Sequence, residues 1–218
     1  MKIACITYRT WAARIYQRLV KKYRQHTFLV WEKKESYEAA KLENFAPDLI
    51  LWYGWSWMIE KRFTENFFSI MLHPSPLPKY RGGSPIQNQI INGDLDSAVT
   101  LFRITSEVDA GDILVQDAMR LQGSIDDIFE EITNVGFKAT CRIVDGNYKS
   151  IPQNHEEATY YNRRQEGESE ITLEEFKNKS GEYLYNKIRM LTGPYPRAFL
   201  RTKDGRKLFF ENVSLSQK

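Results

Sequence analysis

The sequence is poor in cysteine and histidine and has no long apolar run. Only two of its 218 residues are cysteine and three are histidine. Cys5 and Cys141 lie in apolar surroundings without metal-ligand spacing, so we expect two reduced core residues of a cytoplasmic protein. No apolar run is long enough to cross a membrane, and the first residues lack a signal-peptide pattern. These absences argue against a secreted, disulfide-bonded or membrane-spanning protein.

Charge of one sign and nucleotide-binding motifs are also scarce. The 31 lysines and arginines nearly balance 28 aspartates and glutamates, which leaves a net charge of +3. So weak an excess can attract a phosphorylated substrate, but it does not indicate a nucleic-acid-binding protein. Neither Gly-x-x-x-x-Gly-Lys-Ser/Thr nor Gly-x-Gly-x-x-Gly occurs. Nucleoside triphosphate and nicotinamide cofactors are therefore not indicated.

Apolar segments of strand length alternate with segments of helical periodicity over the first two thirds of the chain. The pattern predicts strands over 2–7, 27–31, 47–53, 68–72, 97–105 and 113–121, and helices over 10–24, 35–45, 84–92 and 124–144. This alternation predicts an α/β fold with a largely parallel sheet and helices on both faces. In such folds the functional site lies beyond the carboxyl ends of the strands.

The composition changes near residue 145, which predicts a catalytic domain over 1–150 and a small appendage over 151–218. In the appendage the pattern predicts a helix over 172–191 and a hairpin over 198–215 that turns at Asp204-Gly205. A segment of this size cannot bury a core of its own, so we expect it to pack on the main domain or on a partner subunit.

The most informative segment is the proline- and glycine-rich loop over 73–85, which starts where a predicted strand ends. Its four prolines and two glycines restrict the backbone. A rigid loop that carries His73 suits proton transfer, although a structural histidine bonded to its own loop is the alternative. Asp109, in a later Asp-Ala-Gly turn, is a candidate partner. Taken alone it is more typical of an ordinary turn.

Three further segments have both a functional and a structural interpretation. Lys79 and Arg81, next to two glycines, resemble a phosphate-binding turn. The segment 54–59 could form a flat slot for a heteroaromatic ring, or simply pack in the core. Arg163-Arg164 could pair with a pyrophosphate, or form a solvated surface.

Taken together, these motifs resemble the formyltetrahydrofolate-dependent formyltransferase family. The similarity covers roughly residues 1–145 and depends on residues 73–85, Ile90-Ile91-Asn92-Gly93, Val99-Thr100-Leu101 and Asp109-Ala110-Gly111-Asp112-Ile113. The segment 188–199, with Gly-Pro-Tyr-Pro-Arg-Ala-Phe, is similar to the tail of family members that formylate amino sugars on nucleotide carriers. The resemblance implies a Rossmann-like formyltransferase fold.

The resemblance also implies a reaction and a set of site residues. The donor would be 10-formyltetrahydrofolate, no metal would be needed, and a neutral primary amine would attack the formyl carbon. His73 would accept the proton of that amine, and Asp109 would hold and polarise the imidazole. The folate would contact Gly54, Trp55, Trp57, Met58, Ile59 and Asp112. The acceptor would contact Lys79, Tyr80, Arg81, Gly82, Gln87 and Arg163.

One position departs from the family pattern. Members usually carry Asn two residues before the histidine, where this chain has Met71. A thioether cannot donate a hydrogen bond to the oxyanion of the tetrahedral intermediate. Either another donor replaces the amide, such as protonated His73, Gln87, Asn88 or a backbone amide, or the enzyme is slow or inactive.

Several acceptors remain open at this stage. The length and tail favour a nucleotide-linked sugar for surface polysaccharide synthesis, first dTDP-4-amino-4,6-dideoxyglucose and second GDP-perosamine. Glycinamide ribonucleotide and a non-catalytic folate or sugar-nucleotide binding protein are the alternatives. Methionyl-tRNA is disfavoured because residues 150–218 are too few for an RNA-binding domain and the net charge is low. We expect no nucleic-acid or membrane partner, and a homodimer.

Overall fold

The computed structural model describes residues 1–216, so residues 217–218 at the end of the predicted appendage lie outside the described part. The strands are β1 Lys2–Ile6, β2 Thr27–Trp31, β3 Leu49–Trp52, β4 Ser69–His73, β5 Arg81–Gly82, β6 Asp96–Arg103, β7 Ile113–Arg120, β8 Tyr160–Tyr161, β9 Phe199–Arg201 and β10 Lys207–Phe209. The α-helices are α1 Thr10–Lys22, α2 Ala39–Phe45, α3 Lys61–Glu65, α4 Pro85–Ile91, α5 Ile125–Val144, α6 Leu173–Asn178 and α7 Gly181–Met190.

The central sheet has six strands in the order β2-β1-β3-β4-β6-β7. The first four of these are parallel, and β6 and β7 are each antiparallel to their neighbour. The remaining strands form two small pairs, β5 with β8 and β9 with β10. The predicted α/β fold with a mostly parallel sheet is therefore confirmed.

The parallel strands are mostly apolar because both faces of the sheet are covered. In β1, Ile3 and Cys5 pack in one buried cluster, whereas Ala4 and Ile6 pack in another. This is the alternation of a strand, whose successive side chains point to opposite faces. The first cluster includes residues of α1 and α5, and the second includes residues of α2 and α3. Both cysteines are free and buried.

Helix α5 is the longest of these helices, and a capping box forms its start. The Ser124 hydroxyl accepts the amide of Asp127, whose carboxylate accepts the amide of Ser124. Near its middle, Gly136 lets α5 pack closely: a Cβ there would lie 2.8 Å from Leu72 Cδ1 and 2.9 Å from Ile15 Cδ1. The close approach holds α1 and α5 together over the sheet.

The C-terminal segment differs from the sequence expectation in one element. The helix predicted over 172–191 is divided into α6 and α7, because Thr172 and Ser180 each cap a helix start. The predicted hairpin is confirmed as β9 and β10, with Gly205 at a φ of 80° in its turn. The apolar residues of this segment join the cluster that contains α1 and α5; they are Ile171, Ile188, Met190, Leu191 and Ala198.

No helix within residues 1–216 combines the length and the apolar character that crossing a membrane requires.

Candidate active site

A cavity of about 860 Å³ opens beyond the carboxyl ends of the parallel strands. Its walls come from the segment after β3, from His73 at the end of β4, from residues 82–87 and from the turn over 104–109. The C-terminal segment closes the far side with residues 163–165 and 194–196. A cavity of this volume is in the range of small-molecule sites.

The imidazole of His73 is buried in the cavity wall and held from two sides. Its Nε2 lies 2.7 Å from the carbonyl oxygen of Tyr80, and its Nδ1 lies 3.6 Å from Oδ2 of Asp109. A carbonyl oxygen can only accept, so Nε2 must carry the hydrogen of the neutral ring. That leaves a lone pair on Nδ1, next to a carboxylate that stabilises the ring once Nδ1 is protonated.

The carboxylate of Asp109 is fixed by its own turn and by a distant segment. Its Oδ2 accepts the backbone amide of Gly82 at 2.8 Å, and its backbone is left-handed with a φ of 51°. The Gln153 amide donates to the carbonyls of Asp109 at 2.9 Å and Gly111 at 2.7 Å. A Cβ on Gly111 would lie 1.9 Å from the carbonyl oxygen of Arg103, so the turn requires glycine there.

The aromatic segment after β3 lines the cavity opposite the histidine loop. All five residues predicted there to contact folate lie in the wall: Gly54, Trp55, Trp57, Met58 and Ile59. The side chain of Met58 is 94% exposed, so it is available to a ligand. Asp112 does not line the cavity, because its carboxylate accepts the hydroxyl of Ser150 at 2.7 Å. The predicted contact of Asp112 with folate does not fit this position.

The residues predicted to contact the acceptor divide into two groups. Gly82, Gln87 and Arg163 line the cavity, but Lys79, Tyr80 and Arg81 do not. The predicted substrate contacts of these last three do not fit their positions. Lys79 is exposed outside the lining, and the Tyr80 hydroxyl donates to Asp94 at 2.6 Å.

Arg81 has a structural position instead. Its side chain is fully buried, with Nη2 donating to Oε1 of Gln153 at 2.6 Å and Nη1 donating to the hydroxyl of Tyr160 at 2.6 Å. The adjacent glycines do not form a phosphate-binding turn. A Cβ on Gly82 would lie 2.4 Å from the carbonyl oxygen of Tyr161. These bonds attach the segment after residue 150 to the histidine loop.

Sequence reasoning missed Arg9, Gln153 and Tyr195 as residues of the site. Arg9 and Tyr195 line the cavity, and Gln153 bonds both Arg81 and the Asp109 turn. Arg9 follows β1, so the rule that sites lie at strand ends applies to it as well as to His73. Gln153 had no such signal, because it lies in a polar segment without periodicity.

The structure limits which hydrogen-bond donors could replace the Asn side-chain amide that family members usually carry where this chain has Met71. Met71 and His73 share one face of β4, and both line the cavity. The Asn88 amide already donates to the carbonyl of Gly83 at 3.0 Å, and the backbone amides of Gly82 and Gly83 are bonded to Asp109 and Tyr161. Protonated His73, Gln87 and the other backbone amides of the cavity wall remain from the candidates named above.

No three His, Cys, Asp or Glu side chains in the part of the chain that is described are arranged to hold a metal ion.

Comparison with known proteins identifies the family. The profile of the Formyl transferase family matches residues 4–144, and the chain belongs to this family. Methionyl-tRNA formyltransferases from Hydrogenobaculum sp. and Finegoldia magna are 34% and 30% identical over 77% and 75% of the chain. The matches cover 56% and 54% of those proteins, so the chain spans about half the length of the curated relatives it matches.

Solved structures agree on the fold. A methionyl-tRNA formyltransferase from Clostridium thermocellum has a TM-score of 0.90 at 29% identity, covering 99% of this chain and 94% of that one. A sugar N-formyltransferase from Shewanella sp. has a TM-score of 0.77 at 16% identity, over 100% and 99%. HypX from Aquifex aeolicus in complex with tetrahydrofolic acid has a TM-score of 0.77 at 19% identity, covering 97% of this chain and 37% of that one.

Proposed function

We propose that the protein transfers a formyl group from 10-formyltetrahydrofolate to the primary amine of a nucleotide-linked amino sugar. The observation that carries the proposal is the environment of His73. Its Nε2–H is hydrogen-bonded to the Tyr80 carbonyl, and its Nδ1 lies 3.6 Å from the Asp109 carboxylate, in the wall of a cavity of about 860 Å³. This arrangement suits a general base, and membership of the formyl transferase family gives the group that is transferred.

In this mechanism His73 Nδ1 accepts a proton from the acceptor amine as the amine nitrogen bonds to the formyl carbon. Asp109 stabilises the imidazolium, and the positive charge of the ring offsets the charge of the developing oxyanion. The folate supplies the formyl carbon, and the bond from that carbon to N10 breaks as N10 receives the proton. The segment 54–59 binds the folate, because its exposed aromatic and thioether groups can pack against a heteroaromatic ring.

The sugar acceptor is supported by the resemblance of the segment 188–199 to sugar-modifying relatives. Tyr195 of this segment lines the cavity. We propose dTDP-4-amino-4,6-dideoxyglucose first and GDP-perosamine second. Dimerisation through residues 151–218 stays a prediction.

Methionyl-tRNA is the second candidate acceptor. The curated relatives described above are named methionyl-tRNA formyltransferases, and the fold of this chain matches 94% of one solved chain of that name. Glycinamide ribonucleotide and a non-catalytic binding role are the remaining alternatives.

The test follows tetrahydrofolate release when the protein and 10-formyltetrahydrofolate are mixed with each acceptor in turn. We expect release with a dTDP-linked 4-amino sugar. Release only with methionyl-tRNA, or only with glycinamide ribonucleotide, would reassign the acceptor. Ligand binding without release with any acceptor would favour the non-catalytic alternative.

The variant His73→Asn tests the base directly. We expect formyl transfer to fall at least about a hundredfold, because a general base contributes that much or more. The dissociation constant for folate should stay at the wild-type value, since His73 is not in the segment expected to bind the ring. Turnover near the wild-type rate would overturn the assignment of His73.

A further inference from the structure

We infer that Arg9, Gln87, Arg163 and Tyr195 form an anion-binding cluster that holds the diphosphate of a nucleotide-linked acceptor. All four residues line the cavity described above. They come from four separate segments: the loop between β1 and α1, helix α4, the chain after β8, and the turn after α7. The inference rests on the proposed function, because it names the part of the acceptor that this wall of the cavity recognises.

Arg9 presents a guanidinium that is held in place without being neutralised. Its Cζ lies 4.6 Å from the ring centre of Tyr8 and 5.9 Å from that of Tyr195. Within residues 1–216 it forms no ion pair with a carboxylate. Stacking on aromatic rings fixes the planar fork and leaves its N–H groups free for an anion.

Arg163 supplies a second guanidinium, which differs from that of Arg164 in having no partner of its own among residues 1–216. The Arg164 guanidinium is bonded within the chain: Nη2 donates to the carbonyl of Glu168 at 2.9 Å, and Nη1 lies 3.6 Å from the carboxylate of Glu168. The side chain of Arg163 has no such partner in the described part of the chain. Its backbone is fixed, because a Cβ on Gly83 would lie 2.3 Å from the Arg163 nitrogen.

Tyr195 and Gln87 add neutral donors to the two arginines in the cavity wall. Burial raises the pKa of the Tyr195 hydroxyl, while Gln87, Arg9 and Arg163 pull it down, so all three side chains act on this hydroxyl. The Gln87 side chain is 2% exposed and lies close enough to the Tyr195 hydroxyl to lower its pKa, although no hydrogen bond of normal geometry joins its Nε2 to a partner within residues 1–216. Its amide is therefore placed to contact the same ligand as Tyr195.

The donor set fits a diphosphate better than a carboxylate. A single carboxylate has two oxygens and one charge, which one bidentate arginine satisfies. Two guanidinium forks on different segments, with a hydroxyl and an amide, match the several oxygens and greater charge of two linked phosphates. A nucleotide-linked sugar carries that group next to its sugar.

The test measures the affinity of dTDP, the sugar-free probe, by isothermal titration calorimetry. We expect Arg9→Gln and Arg163→Gln each to raise the Kd for dTDP about tenfold or more, since each removes charge-assisted hydrogen bonds. Tyr195→Phe should raise it less, because it removes one neutral donor. The control is Arg14→Gln, which removes the same charge from an exposed ion pair with Glu130. It should leave the Kd unchanged.

Three outcomes would overturn the inference. The first is a Kd for dTDP that stays within twofold of wild type in both arginine variants while their melting temperatures are normal. The second is loss of tetrahydrofolate affinity in these variants with dTDP affinity intact, which would assign the cluster to the glutamate tail of folate. The third is a wild-type protein that binds a tRNA acceptor-stem fragment but not dTDP. Because His73→Asn should bind dTDP normally, failure of the chemistry and failure of this cluster are separable.

Discussion

At the scale of single residues, the geometry around His73 separates two tasks. The Tyr80 carbonyl fixes which nitrogen of the ring carries the hydrogen, and Asp109 provides the charge that stabilises the protonated ring. Asp109 also accepts the Gly82 amide, so its position does not depend on the histidine. The carboxylate is therefore in place before any ligand binds.

This separation makes Asp109→Asn the informative substitution. Asn tolerates the left-handed backbone at this position, where φ is 51°, better than other side chains. We expect the fold to survive and kcat to fall about a hundredfold, because an amide cannot offset the charge of the imidazolium. Steady-state kinetics and a thermal melt check both parts. Asp117→Asn, which alters a surface pair with Arg142, is the control; equal kcat values in the two variants would contradict the role of Asp109.

Single residues also show what the sequence could and could not predict about the site. That His73 and Asp109 lie close together was predictable, because one lies at a strand end and both lie in specific motifs; their catalytic roles stay predictions. Arg81 was not, since its burial depends on Gln153 and Tyr160, which fold back from a distant segment. An arginine next to two glycines carries no local sign of whether it faces a ligand or its own chain.

At the scale of elements, the short strands β5 and β8 connect the histidine loop to the C-terminal segment. The Gly83 amide donates to the carbonyl of Tyr161 at 2.7 Å, and the Arg164 amide donates to the hydroxyl of Ser84 at 3.1 Å. Only a glycine at position 83 allows the two chains to approach this closely. The pairing sets where residues 163–165 lie in the cavity wall.

Gly83→Ala tests this pairing. The added Cβ would lie 2.3 Å and 2.4 Å from the backbone nitrogen and Cα of Arg163, so one chain must move. We expect a loss of about 2 kcal/mol in the free energy of unfolding, measured by urea denaturation. Gly167→Ala is the control, since nothing lies within 4 Å of a Cβ there. Equal stability of the two variants would show that β5 and β8 do not pair as described.

The elements of the sheet were largely predictable, and the reasons are physical. Strands buried on both faces have continuous apolar runs, and α5 has a capping pattern and one apolar face, so each is visible locally. The segment over 145–169 was not, because its polar side chains bond the Asp109 turn and β5 instead of forming a periodic face. The division between α6 and α7 depends on Ser180, which caps the start of α7. It was not predicted, because the apolar pattern continues across the break between the two helices.

At the scale of the whole molecule, the cavity combines two parts of the chain. Residues 4–144, which match the family, contain His73 and Asp109. The wall formed by residues 163–165 and 194–196 lies beyond that match. We therefore expect the family region to determine the reaction and the C-terminal segment to determine the acceptor, provided that this segment keeps its packing on the core.

The packing of that segment includes a buried charge, Lys187, and this makes it sensitive to acid. Its ammonium group is almost fully buried and donates to Glu175 at 2.8 Å and to the carbonyl of Glu170 at 2.6 Å. Burial alone would raise the pKa of Glu175, but bonds from Lys187, the Thr172 amide and Tyr183 lower it below its usual 4.5. A carboxyl group with a lowered pKa stabilises the fold above its unfolded pKa and loses that contribution as the pH falls through its folded pKa.

Glu175→Gln should therefore lower the free energy of unfolding by about 2–3 kcal/mol at pH 7, because it leaves the Lys187 ammonium without its counter-charge. The difference from wild type should shrink as the pH falls from about 4.5, the usual pKa of a glutamate, towards the lower pKa of folded Glu175, because the carboxylate is then protonated first in the unfolded chain and finally in the fold. Urea denaturation of both proteins between pH 7 and pH 3 measures it. The control is Glu182→Gln, which removes an exposed carboxylate from the first turn of α7. A difference that stays constant over this range would mean that the Glu175–Lys187 pair does not anchor the segment.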